Sequence, residues 1–390
     1  MIGVAIMGYG VIGSGTYKVL RENAGVVTSH VGEEIVVKRV LDLREFPGDV
    51  VEPILTHDFN DILNDDDVKI VVEVMGGTGA AYKFVKASLE AGKSVVTSNK
   101  ALVAAYGPEL LQIARDKNIN FMFEASVGGG IPIIRPLLRC LTGDEILEIS
   151  GILNGTTNYI LTKMYNEGGR YEDILKEAQK LGYAEADPTA DVEGFDAARK
   201  IAILASLAAG QFIDFEDIRC TGITGVSLDD MKYAQSMWMK IKLIATAKKE
   251  NGRYYLSVEP CMVRESSPLF AVDDVMNAIL VKGNMLGDCM FYGAGAGSLP
   301  TASAVVGDII EEARHLDRNL RVVMEPEKLS VGDTGDIKES YFLRVSKDTK
   351  VNLPVKKKAL VNAGEIGIIT ESVTLQEVKA AGAISYYKVV

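Results

Sequence analysis

The chain has 390 residues, 47% hydrophobic and 24% charged, enough apolar material for two or three domains, each with its own core. Fifty-three acidic against 42 basic residues give a formal net charge of -11, which repels phosphate polymers and anionic membranes, so a small-molecule substrate is expected and a nucleic-acid or membrane partner is not. Four scattered cysteines without a CxxC pair read as reduced thiols, and three isolated histidines, His30, His57 and His315, argue against zinc or triad chemistry.

In chain order, the apolar run 2–7 reads as a strand, and Gly8-Tyr9-Gly10-Val11-Ile12-Gly13 follows at once, leading into a helical segment over 14–23. Strand, glycine turn and helix predict a dinucleotide-binding turn. Gly8 permits the sharp bend, Gly10 lets a pyrophosphate approach, Gly13 lets helix and strand pack closely, and the helix start with Val11 and Ile12 faces the phosphates. Strands at 35–41, 70–74, 94–97 and 120–123, with helical patterns at 80–91 and 108–117, predict an α/β domain over 1–125. Its sheet is of the Rossmann type, doubly wound and parallel, with ligands at the carboxyl ends of the strands. Asp42, ending the second strand, suits a ribose diol and hence NAD, whereas Arg44 suits the 2′-phosphate of NADP; the sequence carries both signals. Thr78, after Gly76-Gly77, is a further cofactor candidate.

After the Gly128-Gly129-Gly130 hinge the pattern changes to a strand at 146–153, helices at 155–166, 172–181 and 196–209, and strands at 241–248, 254–260, 277–282 and 288–292. This predicts an α+β substrate and dimerisation domain over 126–299, with an open mixed sheet covered by helices on one face. A helix over about 300–318 follows a glycine run that includes Gly295 and Gly297, both candidate cofactor contacts, and is expected to pack back on the first domain. Residues 319–390 form a C-terminal region with short strand patterns from Tyr341. No apolar stretch is long enough to span a bilayer and no basic residue precedes the first apolar run, so a cytoplasmic chain is expected.

Asp196 and Lys200, four apart on one helix face, would ordinarily read as a solvated ion pair. Here the helix continues apolar through 201–209 and follows a polar loop holding Glu185, Asp187 and Asp191, which suits a zwitterionic substrate. Reducing a carbonyl places negative charge on oxygen, which a nearby cation must stabilise and protonate. With no histidine placed for this, the candidates are Lys200 and Lys100, the latter just past the carboxyl end of the 94–97 strand, where a surface lysine in a βα loop is the competing account.

Over almost all of residues 1–320 the chain resembles homoserine dehydrogenase. The resemblance is carried by the glycine fingerprint, Thr97-Ser-Asn-Lys100, Phe123-Glu-Ala-Ser-Val-Gly-Gly-Gly-Ile-Pro132, Gly151-Ile-Leu-Asn-Gly-Thr-Thr-Asn-Tyr159, and Gly182-Tyr-Ala-Glu-Ala-Asp-Pro188 running on to Asp191 and Asp196-Ala-Ala-Arg-Lys200. It implies reversible NAD(P)H-dependent reduction of L-aspartate 4-semialdehyde to L-homoserine in threonine, methionine and isoleucine biosynthesis, by a homodimer or homotetramer, with preference leaning to NADP. It makes Lys200 the proton donor to the nascent alkoxide, Asp196 its positioning partner, and Lys100 a second catalytic cation beside the nicotinamide. Glu185 and Asp191 would hold the substrate ammonium, and Tyr183, Asn154, Gly155 and Thr156 would complete the substrate site.

Glu124, Val127, Gly129 and Ile131 resemble the family's monovalent-cation site, where a carboxylate and backbone carbonyls take sodium or potassium; a structural hinge is the competing account. Tyr341-Phe-Leu-Arg-Val-Ser346 resembles the first strand of an ACT regulatory domain, and Ile366-Gly-Ile-Ile-Thr-Glu-Ser372 its second helix-to-strand passage. Residues 348–354 lack the usual Pro-Gly turn and apolar helix, so the tail is expected to be a short ACT-like unit, either threonine-sensing or a packing and oligomerisation module. The alternative functions are another amino-acid-pathway semialdehyde oxidoreductase on the same plan and a non-catalytic, cofactor-sensing amino-acid binder. An acylating dehydrogenase needs a nucleophilic cysteine, and no cysteine lies in a recognisable site motif.

Overall fold

Every residue of the first strand, Ile2–Met7 (β1), is buried, as a strand covered on both faces of a parallel sheet must be. In a computed structural model describing all residues from Met1 to Val390, β1 lies inside a six-stranded sheet. Its other strands are Ile35–Leu41 (β2), Leu55–Thr56 (β3), Val68–Glu73 (β4), Ser94–Thr97 (β5) and Phe121–Met122 (β6). The order is β3-β2-β1-β4-β5-β6 and every pairing is parallel. This is the doubly wound arrangement expected, and the order reverses between β1 and β4, where such sheets receive a dinucleotide.

The connecting helices are Val11–Glu22 (α1), Ala24–Val31 (α2), Asn60–Leu63 (α3), Gly79–Glu90 (α4) and Lys100–Asp116 (α5). Two depart from the sequence reading. The segment before β2 forms α2, ended by Gly32 at φ 84°. The sequence pattern predicts a helix start at Pro108, but α5 begins eight residues earlier, where the Asn99 side chain accepts from Leu102 N–H, and Pro108 sits inside it. A proline at a helix start and one within a helix share a residue signature; only the upstream cap separates them.

The chain divides into two compact units, each drawn from three stretches of sequence. The first takes Met1–Gly143, Ile203–Asp214 and Ala294–Leu329. Its core joins Val4 and Ile6 of β1 and Leu20 of α1 to Ala304, Val305 and Ile309. Those last three belong to a helix spanning Ser298–Ala313.

The second unit takes Asp144–Ala202, Phe215–Gly293 and Ser330–Val390. It contributes the strands Ile146–Ile152 (β7), Arg219–Cys220 (β8), Met239–Glu250 (β9), Arg253–Arg264 (β10), Met276–Gly283 (β11), Gly287–Ala294 (β12), Tyr341–Ser346 (β13), Val355–Ala359 (β14), Glu365–Thr370 (β15) and Ser385–Val389 (β16). They form one mixed sheet of order β12-β11-β7-β9-β10-β16-β13-β15-β14, with β8 beside β10. The helices are Gly155–Glu167 (α6), Tyr171–Lys180 (α7), Thr189–Val192 (α8), Phe195–Ala209 (α9), Leu228–Ser236 (α10), the Ser298–Ala313 helix of the first unit (α11) and Leu375–Ala380 (α12).

The tail therefore does not stand as a separate sheet. β16 runs parallel to β10, with Cys261 opposite Lys388 and Met262 opposite Val389. The expected helix-to-strand passage over 366–372 is instead the strand β15, which leads into α12. No helix joins β13 to β14, as the polar 348–354 segment foretold. The free cysteines include a buried Cys261, whose thiol burial pushes up to about 12. No helix is long and apolar enough to cross a membrane.

Candidate active site

In the first unit, the turn after β1 is built by its glycines. Gly8 takes φ 98°, which an L side chain rarely adopts, and a Cβ on Gly13 would lie 1.9 Å from the Gly8 carbonyl oxygen. A Cβ on Gly10 would meet nothing within 4 Å, so the bare backbone there is turned to open space, as an approaching ligand requires. No side chain caps α1 at Gly10, which leaves the first-turn N–H groups around Val11 and Ile12 without a side-chain acceptor. Ser298 Oγ donates to Val11 O at 2.8 Å, joining the start of α11, with Gly297 at φ 118°, to the glycine turn. Gly295 closes on the hinge, since a Cβ on Gly129 would lie 2.3 Å from its carbonyl oxygen. Thr78 is exposed at the start of α4, and Lys100 is the first residue of α5.

Asp42 and Arg44 engage each other. Asp42 Oδ1 accepts from Arg44 N–H at 3.0 Å and Nε at 2.9 Å, while Oδ2 accepts from Arg44 Nη2 at 2.8 Å and Tyr9 N–H at 2.7 Å. The guanidinium, which also lies 5.2 Å over the Phe46 ring, holds the Asp42 carboxyl well below the usual carboxylate range.

Glu124 is not arranged as a cation ligand through its carboxylate. Oε1 accepts from the N–H groups of Ile133 and Ile134 at 2.6 and 2.7 Å, and Oε2 from Arg135 N–H at 2.6 Å and Nε at 3.3 Å. The carboxylate thus ties down the segment that begins the turn Pro136–Cys140. The carbonyls of Val127, Gly129 and Ile131 accept no such bond, which leaves only backbone oxygens for a cation.

In the second unit the substrate candidates form a connected cluster. Lys200 is 8% exposed and Asp196 3%, so their pair is buried rather than solvated. Lys200 Nζ donates to Asp196 Oδ2 at 2.8 Å and to Leu153 O at 2.7 Å. Asn154 caps α6 by accepting from Thr157 N–H at 2.9 Å, and its Nδ2 donates to Asp196 Oδ2 at 3.0 Å and Asp191 Oδ1 at 2.7 Å. Thr156 Oγ1 donates to Tyr183 O at 2.6 Å, placing Gly155 and Thr156 beside the 182–188 loop. Glu185 is the exception: its side chain is exposed, and its carbonyl, not its carboxylate, accepts from Gln179.

Sequence reasoning missed Lys242. It is 1% exposed on β9 and donates to Asn158 Oδ1 at 3.0 Å, Val272 O at 2.7 Å and Asp273 Oδ1 at 2.8 Å, buttressing α6 from below. Strand β9 carries four lysines, Lys240, Lys242, Lys248 and Lys249, and no local pattern marks Lys242 as the buried one.

Two family models cover most of the chain: "Homoserine dehydrogenase, NAD binding domain" over 8–124 and "Homoserine dehydrogenase" over 132–310. The homoserine dehydrogenase of Bacillus subtilis is 41% identical over 351 residues, 88% of this chain and 81% of that protein. The crystal structure of a homoserine dehydrogenase from Thiobacillus denitrificans superposes with a TM-score of 0.88 at 35% identity, covering 100% of this chain and 98% of that one. A hyperthermophilic archaeal homoserine dehydrogenase in complex with NADPH superposes at 0.68 and 30% identity, covering 80% and 97%.

Proposed function

The chain belongs to the homoserine dehydrogenase family, and from that premise we propose which of its residues bind and which move the proton. The protein is an NAD(P)-dependent oxidoreductase of amino-acid biosynthesis that interconverts L-aspartate 4-semialdehyde and L-homoserine. The bound dinucleotide supplies or accepts the hydride. Its phosphates rest on the glycine turn at Gly8, Gly10 and Gly13 and on the uncapped start of α1, with Thr78, Gly295 and Gly297 as further contacts.

Lys200 delivers the proton to the alkoxide. The observation that carries this is the ammonium held at 2.8 Å by Asp196 and 2.7 Å by Leu153 O, two of its three N–H groups spent on fixing it and the third left for the substrate oxygen. Asn154 holds Asp196 and Asp191 together, so the acidic groups that meet the substrate ammonium are set by the cap of α6. Lys100, at the carboxyl edge of the parallel sheet, is the second cation. Glu185, exposed on the 182–188 loop, offers its carboxylate to the substrate ammonium, and Tyr183, Gly155 and Thr156 shape the site around it. NADPH is the preferred reductant, favoured by Arg44 at the ribose edge and by the NADPH complex of the archaeal relative. A monovalent cation at the hinge would be held by the carbonyls of Val127, Gly129 and Ile131 and takes no part in the proton's path.

The test is Lys200→Ala assayed with L-homoserine and NADP or NAD. Turnover is expected to fall by about 10²- to 10⁴-fold, the usual worth of a positioned acid, with dinucleotide affinity unchanged. Near-parental turnover would remove Lys200 from the mechanism.

A further inference from the structure

Under the loops assigned to the dinucleotide lies a carboxylate with no part in that assignment. Glu73 is the last residue of β4 and 0% exposed. Its Oε1 accepts from the N–H groups of Met75 at 2.9 Å and Gly76 at 3.2 Å, and its Oε2 from Thr97 Oγ1 at 2.6 Å. Thr97 ends β5, and the same Oγ1 accepts from Asn99 N–H at 2.9 Å. Asn99 in turn donates from Nδ2 to Gly77 O at 2.6 Å and caps α5 through Oδ1.

The bonds close a ring: β4 to the 75–77 loop, that loop to Asn99, Asn99 to Thr97, and Thr97 back to Glu73. Gly76 and Gly77 take φ 78° and 68°, so this loop holds a backbone shape that its own sequence leaves loose, and the ring is what selects it. Burial pushes the Glu73 carboxyl up from its ordinary value while the hydrogen bonds from Thr97, Met75, Gly76 and Asn99 pull the other way. A buried charge among apolar strands would be replaced without loss by a packed hydrophobe if it served packing alone; three converging donors need an acceptor.

We propose that Glu73 is a positioning residue for the dinucleotide end of the reaction. Through Met75 and Gly76 it sets the loop that delivers Thr78, and through Thr97 and Asn99 it sets the helix start that carries Lys100. This rests on the assignment of Thr78 and Lys100 to the cofactor and substrate.

The experiment compares Glu73→Ala, Glu73→Gln, Thr97→Val and Lys100→Ala, reading the NADPH dissociation constant by fluorescence titration, kcat, and thermal melting. In E73A, NADPH binding is expected to weaken and kcat to fall, each by about tenfold or more, since misplacements near 1 Å carry effects of that order. E73Q is expected to restore binding to within about threefold, because its carbonyl oxygen accepts from Met75 and Gly76 while its amide donates to Thr97. T97V removes the hydroxyl that joins Glu73 to Asn99 but leaves the Met75 and Gly76 bonds to Glu73 in place, and is expected to lower kcat about tenfold with binding weakened less than in E73A. A purely structural Glu73 predicts lower melting temperatures with unchanged binding and kcat in the folded variants, and that result overturns the proposal; if E73A does not fold, an unaltered kcat in T97V overturns it equally. K100A separates the two readings. Unchanged kcat in K100A overturns the placement of Lys100, whereas a low kcat there beside parental values in E73A overturns the role of Glu73 alone.

Discussion

Asp42 and Arg44 illustrate what single residues decide. Each was legible in the sequence as a cofactor-preference signal, and they pointed to opposite cofactors. What the sequence could not convey is that they bind each other, because two residues at i and i+2 after a strand meet only if the chain turns there. With both Asp42 oxygens occupied by Arg44 and Tyr9 N–H, the carboxylate is poorly placed to accept a ribose diol, and the guanidinium held at that edge is a ready partner for a 2′-phosphate. Arg44→Ala is therefore expected to lower kcat/KM for NADPH by about 10- to 100-fold, the worth of a hydrogen bond to a charged group, and to leave kcat/KM for NADH unchanged or higher. An unaltered NADPH-to-NADH ratio would remove Arg44 from the preference.

At the scale of elements, α6 joins two roles that mutation can separate. Asn154 both caps the helix and binds Asp191 and Asp196. Serine also caps but has no amide to donate, so Asn154→Ser is expected to melt near the parent while losing kcat/KM, whereas Asn154→Ala loses activity and about 0.5–2 kcal/mol of stability as well. Equal kcat/KM in N154S and the parent would confine Asn154 to capping. The same helix rests on Lys242, whose pKa burial lowers to about 8 from an ordinary 10.5. Between those values the unfolded chain binds more protons than the folded one, so this residue makes stability rise with pH across the window, and below about 8 it burdens the fold with a buried ammonium. The melting temperature of the parent relative to Lys242→Met is expected to increase from about pH 7.5 to 10; a flat or falling difference would show that Asp273 fully compensates the burial.

At the scale of the whole molecule, the parallel sheet was readable because buried runs such as 2–7 and 94–97 alternate with helical periods and local glycines mark the turn. The second unit was readable as elements but not as a sheet, since strand order is fixed by pairings across long separations, such as Lys388 against Cys261, which no local pattern encodes. The tail shows the consequence. Its strands carry the alternation of an independent unit, yet Asp230 at the start of α10 accepts from Ser385 Oγ at 2.5 Å and Tyr387 Oη at 2.9 Å, lies 3.3 Å from Arg344, and is 1% exposed. Tyr233 of α10 packs against Phe342, and Arg264 N–H donates to Val390 O. A tail bonded along one strand and locked through a buried charge should open only when β9 and β10 open. Native-state hydrogen exchange is expected to give amides of β13 and β16 the same opening free energy as those of β9 and β10, and Asp230→Ala, which strips Ser385 and Tyr387 of their acceptor and leaves Arg344 only its longer pair with Glu365, is expected to lower both together by about 1–3 kcal/mol. Tail amides that exchange at a distinctly lower free energy in the parent would restore the tail as a separately folding unit, with room for a regulatory movement that the continuous sheet otherwise denies it.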